Sequence, residues 1–88
     1  MYKVQFINAY TQEILREEFY DKVDFILSMI EDFKRVKEQG LDCFILDNQR
    51  RTLQSEFVSH SILNLAHSKV YRIFFKTKLA SIQAVIRD

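Results

Sequence analysis

The stretch DKVDFILSMIEDFKRVKEQG, residues 21–40, decides the fold, because it has the clearest helical pattern in the chain. Asp21 is a residue type that commonly caps a helix, and Gly40 is a type that commonly ends one. Basic residues cluster in the last turn, where they complement the helix dipole. The pattern predicts a helix from Lys22 to Gln39.

The apolar side of this predicted helix is wider than one sheet covers. At ~100° per residue, its apolar side chains span roughly 200° of the helix surface. One edge of that arc consists of Phe25, Met29 and Val36. We expect these three residues to contact either a second element of the chain or another subunit.

Strand patterns flank the helix. Residues 2–8 alternate apolar with polar side chains, and residues 13–20 follow as a hairpin partner, although they also fit a backward extension of the helix to Thr11. After Gly40, residues 41–47 indicate a buried strand and residues 50–57 its return strand.

The rest of the chain is predicted to contain a second helix and a strand. Residues 59–68 have helical spacing of the apolar side chains at Val58, Ile62, Leu63, Leu65 and Ala66. Residues 70–77 alternate as a strand, with Tyr71, Ile73 and Phe75 facing the core. Residues 78–88 fit either a short helix or a further strand.

These elements predict a small single α+β domain over residues 1–88, with an antiparallel-rich sheet and helices packed on one face. The order is β-β-α-β-β-α-β plus a C-terminal element, or β-α-β-α-β-α if residues 11–20 and 49–57 join the helices. A shift of 38 positions aligns Phe6 with Phe44 and Leu15 with Leu53. Duplication of a ββα unit over 2–39 and 41–68 and coincidence account for these matches equally well.

Composition narrows the class of protein. Eighty-eight residues support one hydrophobic core. The only cysteine, Cys43, excludes an intramolecular disulfide and favours a cytoplasmic, reducing environment. No stretch resembles a signal peptide or a membrane span. One glycine and no proline exclude glycine-rich phosphate loops, so we expect no nucleotide cofactor.

Catalytic and metal motifs are missing from the sequence. His60 and His67 are seven residues apart, whereas helical metal pairs have a spacing of four. With one glycine, the nucleophile elbow of serine hydrolases is excluded. We therefore expect no enzyme, no catalytic residues, no metal and no cofactor; a metal-independent ribonuclease is the least implausible activity.

Two surfaces are candidates for contact. Residues 57–68 contain no Asp, Glu, Lys or Arg, and depletion of charge is typical of the centre of a protein interface. The predicted partner interface combines this stretch with the helix edge: Phe25, Met29, Val36, His60, Asn64 and His67. An ordinary serine-rich helix is the alternative interpretation of the uncharged stretch.

The second surface is basic and aromatic. On the last strand Arg72, Phe74 and Lys76 share one face, a combination that suits stacking on bases and contact with phosphates. The predicted nucleic-acid-binding residues are Arg50, Arg51, Arg72, Phe74, Lys76 and Lys78. A strand face kept soluble by its charges is the alternative.

Charge is distributed unevenly along the chain. Residues 1–49 carry six basic and ten acidic side chains, a net charge of −4, and residues 50–88 carry seven basic and two acidic ones, a net charge of +5. The two halves can attract each other within one fold or between subunits. We therefore expect a small intracellular interaction or regulatory module that associates with itself or with another protein, and single-stranded nucleic-acid binding is the alternative. The composition would suit an accessory protein of a bacterium or phage.

Overall fold

The computed structural model describes residues 1–78, in which strands dominate. Strands account for 54% of these residues and helix for 21%. In chain order the elements are β1 (Tyr2–Asn8), β2 (Ile14–Tyr20), α1 (Val23–Glu38), β3 (Cys43–Leu46), β4 (Thr52–Leu65) and β5 (Ser68–Thr77).

All five strands form one sheet in the order β2-β1-β5-β4-β3. The hairpin pairs β1–β2, β3–β4 and β4–β5 are antiparallel, whereas β1 and β5 are parallel neighbours in the centre. The backbone N–H of Asn48, just after β3, donates to the carbonyl of Leu15 in β2 at 2.8 Å. This bond joins the two edges of the sheet, which is therefore nearly closed.

The core lies between α1 and one face of the sheet. Alternate residues of each strand share a face, so β1 and β5 contribute every second side chain to it. Ile26 and Ile30 of α1 are buried against this face. The buried sheet residues of the cluster are Val4, Phe6, Ile45, Leu53, Phe57, Tyr71, Ile73 and Phe75. The opposite sheet face carries the other set of side chains.

The ends of α1 differ in how they are capped. Lys22 occupies the N-cap position with an extended backbone and no side-chain cap hydrogen bond, so the expected Asp21 cap is wrong. At the C-terminus, Gly40 has φ +72°, and its N–H donates to the carbonyl of Lys37 at 2.9 Å. The N–H of Leu41 donates to the carbonyl of Val36 at 3.1 Å, which completes a Schellman motif.

The turn from β3 to β4 is organised by a buried carboxylate. Asp47 accepts hydrogen bonds from the backbone N–H groups of Gln49 and Arg51, both at 2.9 Å, and from Arg51 Nε at 2.7 Å. Burial alone would raise the pKa of Asp47, but the hydrogen bonds from Arg51 and Gln49 outweigh it and lower the pKa. These bonds order the turn that leads into β4.

The predicted α+β fold with several helices packed on one face is wrong. Residues 59–65 continue β4, Ala66 and His67 form a turn, and Ser68 begins β5. The helical spacing of Ile62 and Leu65 misled the prediction because a β-bulge between Phe57 and Ser59 interrupts the alternation expected of a strand. Only one helix, α1, covers the sheet in the part of the chain that is described.

The alternative order β-α-β-α-β-α is also wrong, because residues 14–20 form β2 and residues 52–57 lie in β4. In the proposed duplication, the second unit has no helix matching α1, since residues 59–65 are strand. The element predicted for residues 78–88 falls on 79–88, which lie outside the described residues.

Candidate interaction site

The hairpin of β4 and β5 projects beyond its neighbours in the sheet. The pairing of β1 with β5 begins at Lys3 and Val70, so the residues of β5 before Val70 pair with β4 alone. Every residue from Ser61 to Lys69 is exposed. We call Ser61–Lys69 the arm.

One edge of β4 is open over most of its length. The pairing of β3 with β4 covers only Thr52–Ser55. Beyond Ser55, no other strand within residues 1–78 pairs with this side of β4. We call the outer side of residues 57–65 the free edge of β4.

The register shows which backbone groups point out of the free edge. The carbonyl of Phe75 accepts a hydrogen bond from Ala9 N–H at 2.8 Å, so Phe75 faces β1. The backbone groups of Phe74, and of every second residue before it on β5, therefore face β4, where these residues pair with Ser59, Ser61 and Leu63. By the same alternation His60, Ile62 and Asn64 direct their N–H and C=O groups outward. These groups are unused by the pairing of β4 with β5.

Side chains along the free edge carry no charge when histidine is neutral, and Lys69, at the end of the arm, is the one charged residue of the arm. Residues 57–68 contain no Asp, Glu, Lys or Arg, and Ile62, Leu63 and Leu65 are all exposed. The outer strand β2 differs, because Arg16, Glu17 and Glu18 run along it. Charges of that kind normally prevent edge strands from pairing with other chains.

The six predicted interface residues are distributed over β4, the turn of the arm and α1. His60 and Asn64 lie on β4 with their backbone groups at the free edge, and His67 lies in the turn of the arm. Phe25, Met29 and Val36 lie on α1.

The predicted apolar edge of α1 is largely used within the chain. Met29 packs against the core, and its Sδ atom lies 3.8 Å from the Tyr20 hydroxyl. Val36 is half-buried, whereas Phe25 remains 62% exposed. Of the three residues, Phe25 alone presents a large exposed surface.

A basic and aromatic surface lies on the sheet face opposite α1. Arg72, Phe74 and Lys76 share this face, and the Arg72 guanidinium lies 5.3 Å from the centre of the Phe74 ring. On the same face, Lys3 Nζ lies 5.7 Å from the centre of the exposed Phe19 ring. The structure thus adds Lys3 and Phe19, which the sequence analysis missed because they come from the other end of the chain.

Acidic groups accompany these cations. Lys3 Nζ lies 3.8 Å from a carboxylate oxygen of Glu17, and Lys76 is directly opposite Glu56 in the pairing of β4 with β5. Neighbouring carboxylates reduce the positive potential that a phosphate backbone would meet.

The remaining predicted nucleic-acid-binding residues lie elsewhere. Arg51 pairs with Asp47, and Arg50 sits beside it in the turn with φ +63°. Arg51 directly precedes β4, whereas Arg72 pairs with Ser61 toward the far end, a separation of roughly 30 Å along the strand. The turn and the sheet face therefore do not form one compact site.

Lys78 is engaged with the acidic half of the chain. Its Nζ atom lies 2.7 Å from Asp42 Oδ2. The hydrogen bond from Lys78, with a second one from Gln54, lowers the pKa of the Asp42 carboxyl. Together with Arg51 and Asp47, this pair shows that part of the attraction between the acidic and basic halves is used inside one chain.

Comparison with protein-family models, with curated proteins and with solved structures finds no match to this chain. Within residues 1–78, no cluster of three or more His, Cys, Asp or Glu side chains could hold a metal ion. In the same range, no helix has the length and hydropathy needed to cross a membrane.

Proposed function

We propose that this protein is a small interaction module that associates with itself through the arm and the free edge of β4. The observation that carries the proposal is the free edge itself, which is long, uncharged from Phe57 to Leu65 and exposed from Ser61 onward. Natural proteins usually protect such an edge with charges, proline or a covering element, unless it is used for pairing.

The side chains of the arm support the same function. Ile62, Leu63 and Leu65 are exposed aliphatic residues among uncharged polar ones. Interfaces combine an apolar, charge-depleted centre with polar groups that can hydrogen-bond. The single thiol of Cys43, which has no disulfide partner in the chain, supports a cytoplasmic location as part of this proposal.

The solution mass tests self-association directly. We expect light scattering after size-exclusion chromatography to give a dimer whose mass is unchanged between low and high salt, because the arm contains no ion pair for salt to screen. A dimer that dissociates in high salt would instead assign the contact to the acidic and basic halves of the chain. A monomer at both salt concentrations and at high protein concentration would contradict the proposal.

A second candidate function is binding of single-stranded nucleic acid on the sheet face opposite α1. The two cation–ring pairs, Lys3 with Phe19 and Arg72 with Phe74, favour it because stacking and phosphate contact need these groups together. The carboxylates of Glu17 and Glu56 beside them count against it, so self-association remains the first proposal.

Fluorescence anisotropy with a labelled single-stranded RNA tests the second candidate. If the face binds, Arg72→Ala and Lys76→Ala should weaken binding and flatten its dependence on salt, whereas Lys34→Ala on α1 should not. Absence of binding by the wild-type protein at low salt would exclude this function. Intact RNA after long incubation would also exclude the ribonuclease activity considered from the sequence.

A further inference from the structure

We infer that two copies of this chain join their free edges of β4 in antiparallel pairing, with the two-fold axis passing through Ile62. The inference rests on the proposed self-association and adds the partner surface and its register. The backbone groups, the side chains and the open length of the edge all support this pairing.

The backbone groups match in this register. His60, Ile62 and Asn64 each offer one outward N–H and one outward C=O. With the axis at Ile62, this residue lies opposite its own copy, and His60 lies opposite Asn64 of the second copy. Two copies then form about six hydrogen bonds between strands. The two sheets become one continuous sheet.

The side chains also match. Ile62 would contact its own copy on the face that carries α1, and the His60 imidazole would lie beside the Asn64 amide of the second copy. On the opposite face, Ser61 would lie across from Leu63. No pair brings like charges together, because residues 57–68 contain no Asp, Glu, Lys or Arg.

The open length of β4 favours this register over registers with the axis at another residue. The edge is blocked at Ser55 by β3, which pairs with it through Cys43. With the axis at Ile62, Ala66 of the second copy lies opposite Val58, so the paired stretch of that copy ends before it reaches β3. An axis at His60 would place Leu65 of the second copy opposite Ser55, where β3 already lies. An axis beyond Ile62 would shorten the paired stretch.

A charge placed at the axis tests the edge pairing. Ile62→Lys puts two ammonium groups opposite each other, and we expect the dimer Kd to rise roughly tenfold or more. Leu27→Lys on α1 is the matched control, since Leu27 is 46% exposed and Ile62 is 45% exposed. The control should keep the wild-type mass. Thermal unfolding of both variants checks that the charge leaves the monomer folded.

A second variant tests the backbone. Ile62→Pro removes an N–H that points out of the free edge and is not used by β5, so it should abolish dimers while leaving the β4–β5 pairing in place. If both Ile62→Lys and Ile62→Pro keep the wild-type dimer, edge pairing is refuted, although self-association through another surface stands. If the wild-type protein is itself a monomer, both the inference and the proposed function fail.

A disulfide tests the register. In a Cys43→Ser background, Ile62→Cys should form a covalent dimer on mild oxidation, because opposite Cα atoms in a hydrogen-bonded antiparallel pair are about 5.5 Å apart, within disulfide reach. Phe25→Cys in the same background is the control at an exposed position on α1 and should cross-link far more slowly. Equal cross-linking at both positions, or none at residue 62, would overturn the axis at Ile62.

Discussion

Replacing Phe75 by leucine is expected to lower the free energy of unfolding by roughly 2–4 kcal/mol. Phe75 is completely buried at the centre of the sheet. Its ring is in edge-to-face contact with Phe6, Phe33 and Phe57, at centroid distances of 6.0, 5.1 and 6.2 Å. Leucine keeps most of the apolar volume but loses all three ring contacts.

The magnitude follows from the number of contacts. Each aromatic pair contributes about 0.5–1.5 kcal/mol beyond the area it buries, so three pairs amount to roughly 1.5–4.5 kcal/mol. A domain of this size has a total stability of about 4–13 kcal/mol. The melting temperature of the Phe75→Leu variant should therefore fall by about 10 °C or more.

Urea and thermal denaturation followed by circular dichroism measure the effect, at one fixed protein concentration because association adds to apparent stability. Phe44→Leu is the control: Phe44 is 67% exposed on the opposite sheet face, and its replacement should change stability by less than about 0.5 kcal/mol. A loss below about 1 kcal/mol for Phe75→Leu, or equal losses for the two variants, would refute the idea that this ring cluster organises the core.

Three further predictions concern pH, backbone conformation and thiol reactivity. The hydrogen bond from Lys78 lowers the pKa of the Asp42 carboxyl below 3.8, so the ionised carboxylate stabilises the fold above that pH and this contribution is lost as the pH falls further. The Asp42→Asn variant should therefore lose less melting temperature on acidification than the wild-type protein, and an equal loss would contradict this. Gly40→Ala should lower the free energy of unfolding, measured by urea denaturation, by about 1 kcal/mol, because Gly40 has φ +72° and an added Cβ would meet no neighbour within 4 Å. An unchanged free energy of unfolding would show that the turn after α1 relaxes. Burial raises the pKa of the Cys43 thiol, which donates to the Ser55 carbonyl at 3.5 Å. A thiol reagent at pH 8 should therefore react much more slowly with the folded protein than with the urea-unfolded protein. Equal rates would show that β3 opens readily.

Local patterns were sufficient where burial follows a regular period. The helix predicted from Lys22 to Gln39 begins at Val23 and ends at Glu38, and Gly40 ends it as expected. β1 has the predicted range, residues 2–8. In α1, and in β1 as far as Phe6, one side is more buried than the other, so the sequence shows the period of the structure.

The arm lacks that contrast, and this explains the wrong helix. From Ser61 to Lys69 both faces are exposed, so no burial difference imposes a two-residue alternation. The bulge at Val58 adds a one-residue shift, and the turn at Ala66 and His67 contains neither glycine nor proline. The lack of charge from Phe57 to Ser68 was visible in the sequence, but its position on a sheet edge was not.

Long-range pairing was the other unpredictable feature. The surface opposite α1 combines Phe19 and Lys3 with Arg72 and Phe74 only because β1 and β5 are neighbours. No local signal in either strand specifies a parallel partner so distant in sequence. The free edge of β4 likewise depends on where β3 stops, which is a property of the whole sheet.

The parallel pairing of β1 with β5 also has a consequence for how the chain folds. Lys3 pairs with Val70, so the central strand contact joins residues from nearly opposite ends of the described chain. Closing so large a loop costs entropy before any contact offsets it, and folds dominated by such contacts form in milliseconds to seconds. During synthesis one side of β1 therefore stays without its β5 partner until β5 has left the ribosome.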